Sequence, residues 1–114
     1  MPDLKWVRIA ESTSEIILGP NGIAVVEADG KKMCVGLHNG VWSAFAFKCP
    51  HAGGLMANSW FDAQGNVVCP LHRYRFNPVD GRNTSGEGYY LKTWPVEVRE
   101  DGVYVGMKKG WMLW

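Results

Sequence analysis

Four residues in the middle of the chain have types and spacing that suit metal binding. Cys49 and His51 form a Cys-x-His pair, and Cys69 and His72 form a Cys-x-x-His pair. Thiolates and neutral imidazoles are common ligands of transition metals, and short pairs of this kind usually come from one loop each. The sequence therefore predicts a metal centre that is held by two separate loops.

The mixture of Cys and His within each pair bears on the identity of the metal. Cys2His2 sets bind zinc tetrahedrally, but zinc fingers usually pair Cys with Cys and His with His. A cluster in which two Cys hold one iron and two His hold the other takes one ligand of each kind from each loop. The pattern favours such a cluster, and a structural zinc module stays open as an alternative.

The residues around the pairs resemble those of one family. Both pairs contain a Pro and the first continues into two Gly, which allow tight loops with backbone N–H groups close to a cluster. The motif Cys49-Pro50-His51, followed after residues 52–68 by Cys69-Pro70-Leu71-His72, resembles that of the Rieske 2Fe-2S family. The resemblance implies a 2Fe-2S cluster of the Rieske type, with these ligands: Cys49, His51, Cys69 and His72.

Size, charge and hydropathy limit the class of protein. The length of 114 residues predicts a single domain over residues 1–114. The chain has 12 basic and 11 acidic residues and a net charge of +1, which argues against nucleic acid as a partner. It contains no apolar run long enough to span a membrane and no signal peptide at its start, so we expect a cytoplasmic protein.

Short apolar runs with strand-like alternation recur along the chain, and turn dipeptides such as Asn39-Gly40 separate them. No stretch has convincing helical periodicity. The pattern predicts an all-β fold of short antiparallel strands in stacked sheets, with a turn or one helical turn at 12–15. The predicted strands are 4–10, 23–28, 31–37, 41–47, 60–64, 67–68, 74–77, 91–99 and 103–107.

These strands place both metal-binding pairs on hairpin loops. The predicted strand Val41–Phe47 leads into Cys49, and a hairpin that turns at Gly65-Asn66 delivers Cys69. The Rieske family has this layout, so the resemblance implies stacked antiparallel sheets and a small cluster-binding subdomain. Its two loops would cover residues 48–58 and 69–76.

The resemblance implies an electron-transfer protein and not an oxygenase. A ring-hydroxylating oxygenase also needs a mononuclear iron held by two His and a carboxylate, and only His38 lies outside the motif. The implied protein is a soluble Rieske-type ferredoxin, which carries one electron at a time from a reductase to an acceptor such as a ring-hydroxylating oxygenase. The small Rieske-like subunit of a nitrite reductase is the alternative, and the sequence does not separate the two well.

Other residues near the motif have simpler interpretations. Cys34 lies in an alternating apolar run and is expected to be a small buried side chain. His38 lies beside a turn and has no Cys nearby to suggest a ligand pair, so we expect a structural role. Four basic residues either form a rim for an acidic redox partner or are solvated charges: Lys48, Arg73, Arg75 and Arg82.

Two departures from the family concern the shape of loops. Arg73 follows His72 at a position where many relatives have Gly. Residues 83–88 correspond to a segment that often contains Pro and covers the cluster in the family. Their Gly-rich composition predicts a looser loop here.

The resemblance also predicts the reduction potential. High-potential members have a disulfide between the two loops, and the corresponding positions here hold Gly54 and Leu71. They also have a Ser and a Tyr that donate hydrogen bonds to cluster sulfur, where this chain has Tyr74 and Phe76. Phe76 has no hydroxyl, and the hydroxyl of Tyr74 lies at the end of a ring and is not expected to reach where that of a Ser would. Because such donors stabilise the reduced cluster, their absence places the potential towards the low end of the Rieske range of about −150 to +300 mV.

Overall fold

The computed structural model describes residues 4–50 and 53–108, which form three antiparallel sheets. In this part of the chain the strands are β1 (Leu4–Ala10), β2 (Ile23–Ala28), β3 (Lys31–His38), β4 (Val41–Ala46), β5 (Trp60–Phe61), β6 (Val67–Val68), β7 (Arg75–Phe76), β8 (Thr93–Trp94), β9 (Val96–Arg99) and β10 (Gly102–Lys108). Their order is β1-β10-β9 in the first sheet, β2-β3-β4-β8 in the second and β5-β6-β7 in the third. The prediction of stacked antiparallel sheets is confirmed.

Within the described ranges, two short 3-10 helices lie between strands. Thr13–Glu15 falls within the predicted turn, whereas Met56–Asn58, just after the first cysteine loop, was not predicted. A three-residue helical turn leaves too short a hydrophobic period to be recognised in a sequence. No helix within residues 4–50 and 53–108 has the length and hydropathy needed to cross a membrane.

The prediction of one continuous strand over residues 91–99 is wrong, because the chain passes from one sheet to another at Pro95. The segment before it, β8, pairs with β4 in the second sheet, and the segment after it, β9, pairs with β10 in the first. Proline has no N–H to donate to a strand ladder, so it interrupts the pairing at this point. The Pro95 carbonyl still accepts a hydrogen bond from the Gly106 N–H at 2.9 Å.

The second sheet lies between two hydrophobic cores. Along β3, Met33 and Val35 belong to the core shared with the first sheet, whereas Cys34 belongs to the core shared with the third. On β4, Ala44 and Phe45 divide in the same way. Successive side chains of a strand point to opposite faces of the sheet. A strand whose odd and even positions both hold apolar residues is therefore buried on both faces.

The second core connects this sheet to the two cysteine loops. Phe45 and Phe76 are fully buried there, together with Cys49 and Cys69. Full burial of a side chain as large as Phe stabilises the fold by about 1.5–3 kcal/mol, so this core anchors both loops from below. Cys34 is also fully buried, as predicted, and desolvation raises the pKa of its thiol to about 12.

Gly36 determines how closely the third sheet approaches the second. A Cβ at Gly36 would lie 2.6 Å from Cζ of Phe61, the aromatic residue of β5. Such a distance is impossible without displacing the ring, so a larger residue at position 36 would push Phe61 away from β3. The third sheet contains the strands that flank the second cysteine loop, so this contact also positions that loop.

Candidate metal centre

The first cysteine loop leaves β4 and is closed as a hairpin by an antiparallel bridge between Lys48 and Leu55. Within it, the Cys49 N–H donates to the Gly54 carbonyl at 2.7 Å, and the Gly53 N–H donates to the Cys49 carbonyl at 3.0 Å. Cys49 is buried and Gly53 is exposed. The loop therefore holds its cysteine in the protein interior. His51, the other predicted ligand of this loop, lies outside the described residues.

The second cysteine loop connects β6 to β7, which are antiparallel neighbours. The Cys69 N–H donates to the Tyr74 carbonyl at 2.9 Å, and the Arg73 N–H donates to the Cys69 carbonyl at 3.0 Å. Cys69 is fully buried, whereas His72 is exposed. The loop thus holds one predicted ligand in the core and presents the other at the surface.

The two loops share one backbone design. In each, the Cys N–H bonds to the carbonyl five residues later, and the N–H four residues later bonds back to the Cys carbonyl. The residue at that fourth position has a left-handed backbone in both loops, with φ of 71° at Gly53 and 60° at Arg73. The departure from Gly at position 73 therefore leaves the loop shape intact, although Arg adopts this conformation at a cost.

Gly54 brings the two loops into contact. A Cβ at this position would lie 3.3 Å from Cys69 Sγ and 3.0 Å from Cγ of Leu71. The first loop therefore packs directly against the thiol of the second, and a side chain at Gly54 would crowd it. Positions 54 and 71, where the family resemblance places a disulfide in high-potential members, are in contact here without one.

This donor set fits a 2Fe-2S cluster with two thiolate and two imidazole ligands. Cys49 and Cys69 lie in one apolar core, which suits soft anionic ligands whose charge is neutralised by iron. His72 lies outside that core at the surface, on the same loop as Cys69. Such an arrangement suits a cluster whose thiolate side is buried and whose imidazole side reaches the surface.

Aromatic rings pack beside the exposed predicted ligand. The ring centroids of His72 and Tyr74 are 6.1 Å apart, and those of Tyr74 and Tyr89 are 5.8 Å apart. Desolvation raises the pKa of Tyr74, and the nearby groups of Glu87, Tyr89 and Cys49 raise it further. The phenol of Tyr74 therefore stays protonated at neutral pH and can donate a hydrogen bond.

The Gly-rich segment 83–88 is organised by one asparagine. Asn83 Nδ2 donates to the Arg75 carbonyl at 3.0 Å and to the Glu87 carboxylate at 2.9 Å, and its Oδ1 accepts from the N–H groups of Glu87 and Gly88. Ser85 Oγ also accepts a bond from the Arg75 N–H at 2.9 Å. These hydrogen bonds hold the loop against β7, although its Gly content predicted a looser loop. In the sequence, the spacing Asn-x-Ser-x-Glu was the one feature that could have indicated them.

Arg75, one of the four residues of the predicted basic rim, forms an ion pair with Asp62. Arg75 Nε lies 3.2 Å from Asp62 Oδ2, an ion pair between β7 and the β5–β6 turn. Burial raises the pKa of Asp62, but hydrogen bonds from Asn66 and Gln64 and the charge of Arg75 outweigh it, so the net pKa is lowered. Arg75 thus forms an ion pair within the fold. The other three basic residues are exposed: Lys48 and Arg73 in the two loops, and Arg82 after β7.

The chain was compared with known families and structures. The family model described as the Rieske [2Fe-2S] domain matches residues 5–95. A solved chain from the complex of reduced oxygenase and oxidised ferredoxin in carbazole 1,9a-dioxygenase is 26% identical, with a TM-score of 0.72 and coverage of 91% of this chain and 95% of that chain. Comparison with curated protein sequences yields no match.

Two further solved structures share the fold at lower identity. The ferredoxin of carbazole 1,9a-dioxygenase from Nocardioides aromaticivorans IC177 is 24% identical, with a TM-score of 0.73 and coverage of 89% of this chain and 96% of that chain. A candidate NADH-dependent nitrite reductase small subunit from Mycobacterium tuberculosis is 21% identical, with a TM-score of 0.75 and coverage of 91% and 96%.

Proposed function

Because the chain belongs to the Rieske [2Fe-2S] domain family, whose cofactor is a Rieske-type 2Fe-2S cluster, we propose that the two paired motifs supply its four ligands. Cys49 and Cys69 hold one iron as thiolates, and His51 and His72 hold the other as neutral imidazoles. Support comes from the matching hydrogen-bond pattern of the two loops and from the contact of Gly54 with the Cys69 thiol.

The protein acts as a Rieske-type ferredoxin, a carrier of single electrons between a reductase and an acceptor. The observation that carries this proposal is the position of His72, exposed on the same loop that buries Cys69. Imidazole ligands are uncharged, so they raise the reduction potential relative to an all-cysteine cluster. An exposed imidazole also shortens the path that an electron must cross to a docked protein.

The surface around His72 suits transient docking of another protein. Leu71, the neighbour of His72 in the chain, is 54% exposed, Leu55 of the first loop is 41% exposed, and Tyr89, which packs on Tyr74, is 39% exposed. Transient interfaces combine an apolar or aromatic centre with a polar rim. The exposed basic residues of the two loops, Lys48 and Arg73, give a rim that favours an acidic partner.

Two kinds of acceptor fit this proposal. The similarity to the ferredoxin of carbazole 1,9a-dioxygenase supports a ring-hydroxylating oxygenase as the acceptor. The similarity to a candidate nitrite reductase small subunit supports the alternative, in which the chain is a subunit of a nitrite reductase. In both cases the chain transfers electrons and is not itself the enzyme that converts the final substrate.

Metal and sulfide analysis tests the ligand set. The purified protein should contain two irons and two acid-labile sulfides per chain, as a 2Fe-2S cluster requires. Replacing any of the four ligands by Ala should remove the cluster, whereas Cys34→Ala should retain it because that residue lies on β3, outside both cysteine loops. A single zinc without sulfide would instead identify the structural zinc module.

Electron-transfer kinetics test the docking surface and the acceptor. Leu71→Asp should slow reduction of the acceptor in stopped-flow mixing, whereas Val98→Asp, equally exposed at 54% but on β9, should not. Transfer to an oxygenase through short-lived encounters supports the ferredoxin. Stable co-migration with a nitrite reductase large subunit in gel filtration would support the alternative.

A further inference from the structure

Three aromatic rings form a row that begins at the exposed predicted ligand His72. The ring of Tyr74 lies 6.1 Å from that of His72 at an angle of 46°, and the ring of Tyr89 lies 5.8 Å from that of Tyr74 at an angle of 31°. Both distances are within the range in which aromatic rings attract each other. Tyr74 is half-buried and packs against the second core. Tyr89 therefore forms the outer end of the row.

The position of Tyr89 depends on the turn that precedes it. Gly88 has a left-handed φ of 88°, and glycine by itself permits many conformations. Asn83 Oδ1 accepts hydrogen bonds from the N–H groups of Glu87 and Gly88, the two residues before Tyr89. Asn83 Nδ2 donates to the Arg75 carbonyl at 3.0 Å. One side chain thus connects the turn to β7 and directs Tyr89 towards the residue that precedes this strand.

The amide of Asn83 has a role that other side chains cannot reproduce. Backbone hydrogen bonds already join the start of the segment to β7, since the Thr84 N–H donates to the Arg75 carbonyl at 2.8 Å. Beyond this point, the shape depends on a group that donates and accepts at the same time. An Asp side chain would lack the donors and would place a second carboxylate beside that of Glu87, which accepts from Asn83 Nδ2 at 2.9 Å.

We propose that Asn83 is a positioning residue of the metal centre, which holds Tyr89 on Tyr74 and so keeps water from one side of the His72 imidazole. This role rests on the proposed function, in which His72 is a ligand of the cluster. Reduction of a centre with two thiolate and two neutral imidazole ligands adds one negative charge, which water stabilises better than an aromatic ring does. By excluding water, the row of rings lowers the reduction potential.

Voltammetry of the cluster-loaded protein at fixed pH and ionic strength tests this role. Asn83→Ala and Tyr89→Ala both open the row, so each should raise the reduction potential. The double variant should show no larger rise than the single variants, because both substitutions remove the same contact. Tyr89→Phe keeps the ring and should have the parent potential. Tyr90→Ala truncates the neighbouring tyrosine, which is 70% exposed, and should also have the parent potential.

Hydrogen exchange gives a readout that does not involve the cluster. Asn83→Ala removes the acceptor of the Glu87 and Gly88 N–H groups. Loss of a hydrogen bond of about 1 kcal/mol should speed the exchange of these two amides about fivefold, followed by mass spectrometry of the segment 83–90. Tyr90→Ala should leave the exchange of both amides at the parent rate.

Iron and sulfide are measured first in the parent and in every variant. A parent without iron and sulfide would overturn the proposed function. The parent potential in loaded Asn83→Ala or Tyr89→Ala, an additive shift in the double variant, or equal shifts in Tyr89→Phe and Tyr89→Ala would overturn the positioning role alone. Tyr89→Ala is expected to fold because it truncates a side chain that is 39% exposed, so this variant decides the matter if Asn83→Ala does not fold.

Discussion

Arg73 in the second cysteine loop has the same left-handed backbone as Gly53 in the first, and both N–H groups donate to the carbonyl of the Cys four residues earlier. Glycine adopts this conformation readily, whereas a residue with a Cβ adopts it at a cost of about 1–2 kcal/mol. The loop with Arg73 therefore keeps its shape because packing and hydrogen bonding impose it. Strain of this kind is localised and can be removed by one substitution.

Arg73→Gly is expected to stabilise the protein by about 1 kcal/mol, because it relieves the strained backbone. The matched variant is Gly53→Ala, which introduces the same strain and should destabilise by a similar amount. A Cβ at Gly53 would contact nothing within 4 Å, so that loss reports conformation and not a clash. The change in stability of each variant is measured from the denaturant midpoint of the cluster-loaded protein. A midpoint for Arg73→Gly below that of the parent would contradict this account.

His72→Cys should lower the reduction potential, if the cluster assembles in the variant. The substitution keeps a metal ligand but replaces a neutral imidazole by an anionic thiolate, which disfavours the addition of an electron. Voltammetry near neutral pH measures the change, and His38→Ala, which alters a histidine of the β3 strand, should leave the potential at the parent value. A His72→Cys protein with an intact cluster and an unchanged potential would show that His72 is not a ligand.

The parent potential should lie towards the low end of the range of about −150 to +300 mV, and Phe76→Tyr should raise it. Phe76 is fully buried in the core that contains both cysteines, so a hydroxyl added there enters the surroundings of the predicted cluster. A donor to cluster sulfur stabilises the reduced state. Phe76→Leu, which adds no donor, is the control. A parent value well into the positive range, or a lower potential in Phe76→Tyr, would remove this argument.

Asp62→Asn should destabilise the fold by about 1 kcal/mol at neutral pH, the typical difference between hydrogen bonds to a charged and to a neutral acceptor. Asp62 Oδ1 accepts bonds from the N–H groups of Gln64 and Asn66, both at 2.9 Å, and Arg75 pairs with Oδ2. Since the folded protein lowers the pKa of Asp62, this stabilisation is present above the unfolded-state value of about 3.9 and is lost as the pH falls through the folded-state value.

Denaturation of the parent and of Asp62→Asn across the pH range measures this contribution. The two stability curves should lie apart at neutral pH and converge in acid. Glu100→Gln provides a control, because that carboxylate is exposed and should contribute little at any pH. A constant difference between the parent and Asp62→Asn down to the lowest pH would show that the charge of Asp62 is not the cause.

Local sequence patterns were sufficient to predict much of the fold. The β1, β2 and β6 strands have the predicted bounds, and β3 and β4 differ from prediction by one residue at one end. The Asn39-Gly40 turn was recognisable because both residues take positive φ, 50° and 79°, which few other residue pairs adopt. Strand alternation and turn chemistry act between neighbours in the chain, so a sequence displays them directly.

The pairing of Cys with His predicted the chemistry of the centre, but not its surroundings. The approach of Gly54 to the Cys69 thiol and the hydrogen bonds of Asn83 join segments that are distant in sequence. The change of sheet at Pro95 likewise depends on which strands are available to pair with each segment. Residue type and spacing were enough to predict the ligands and most of the strands, whereas packing between distant segments decided where the described residues lie, because such contacts depend on distances in space that no local period encodes.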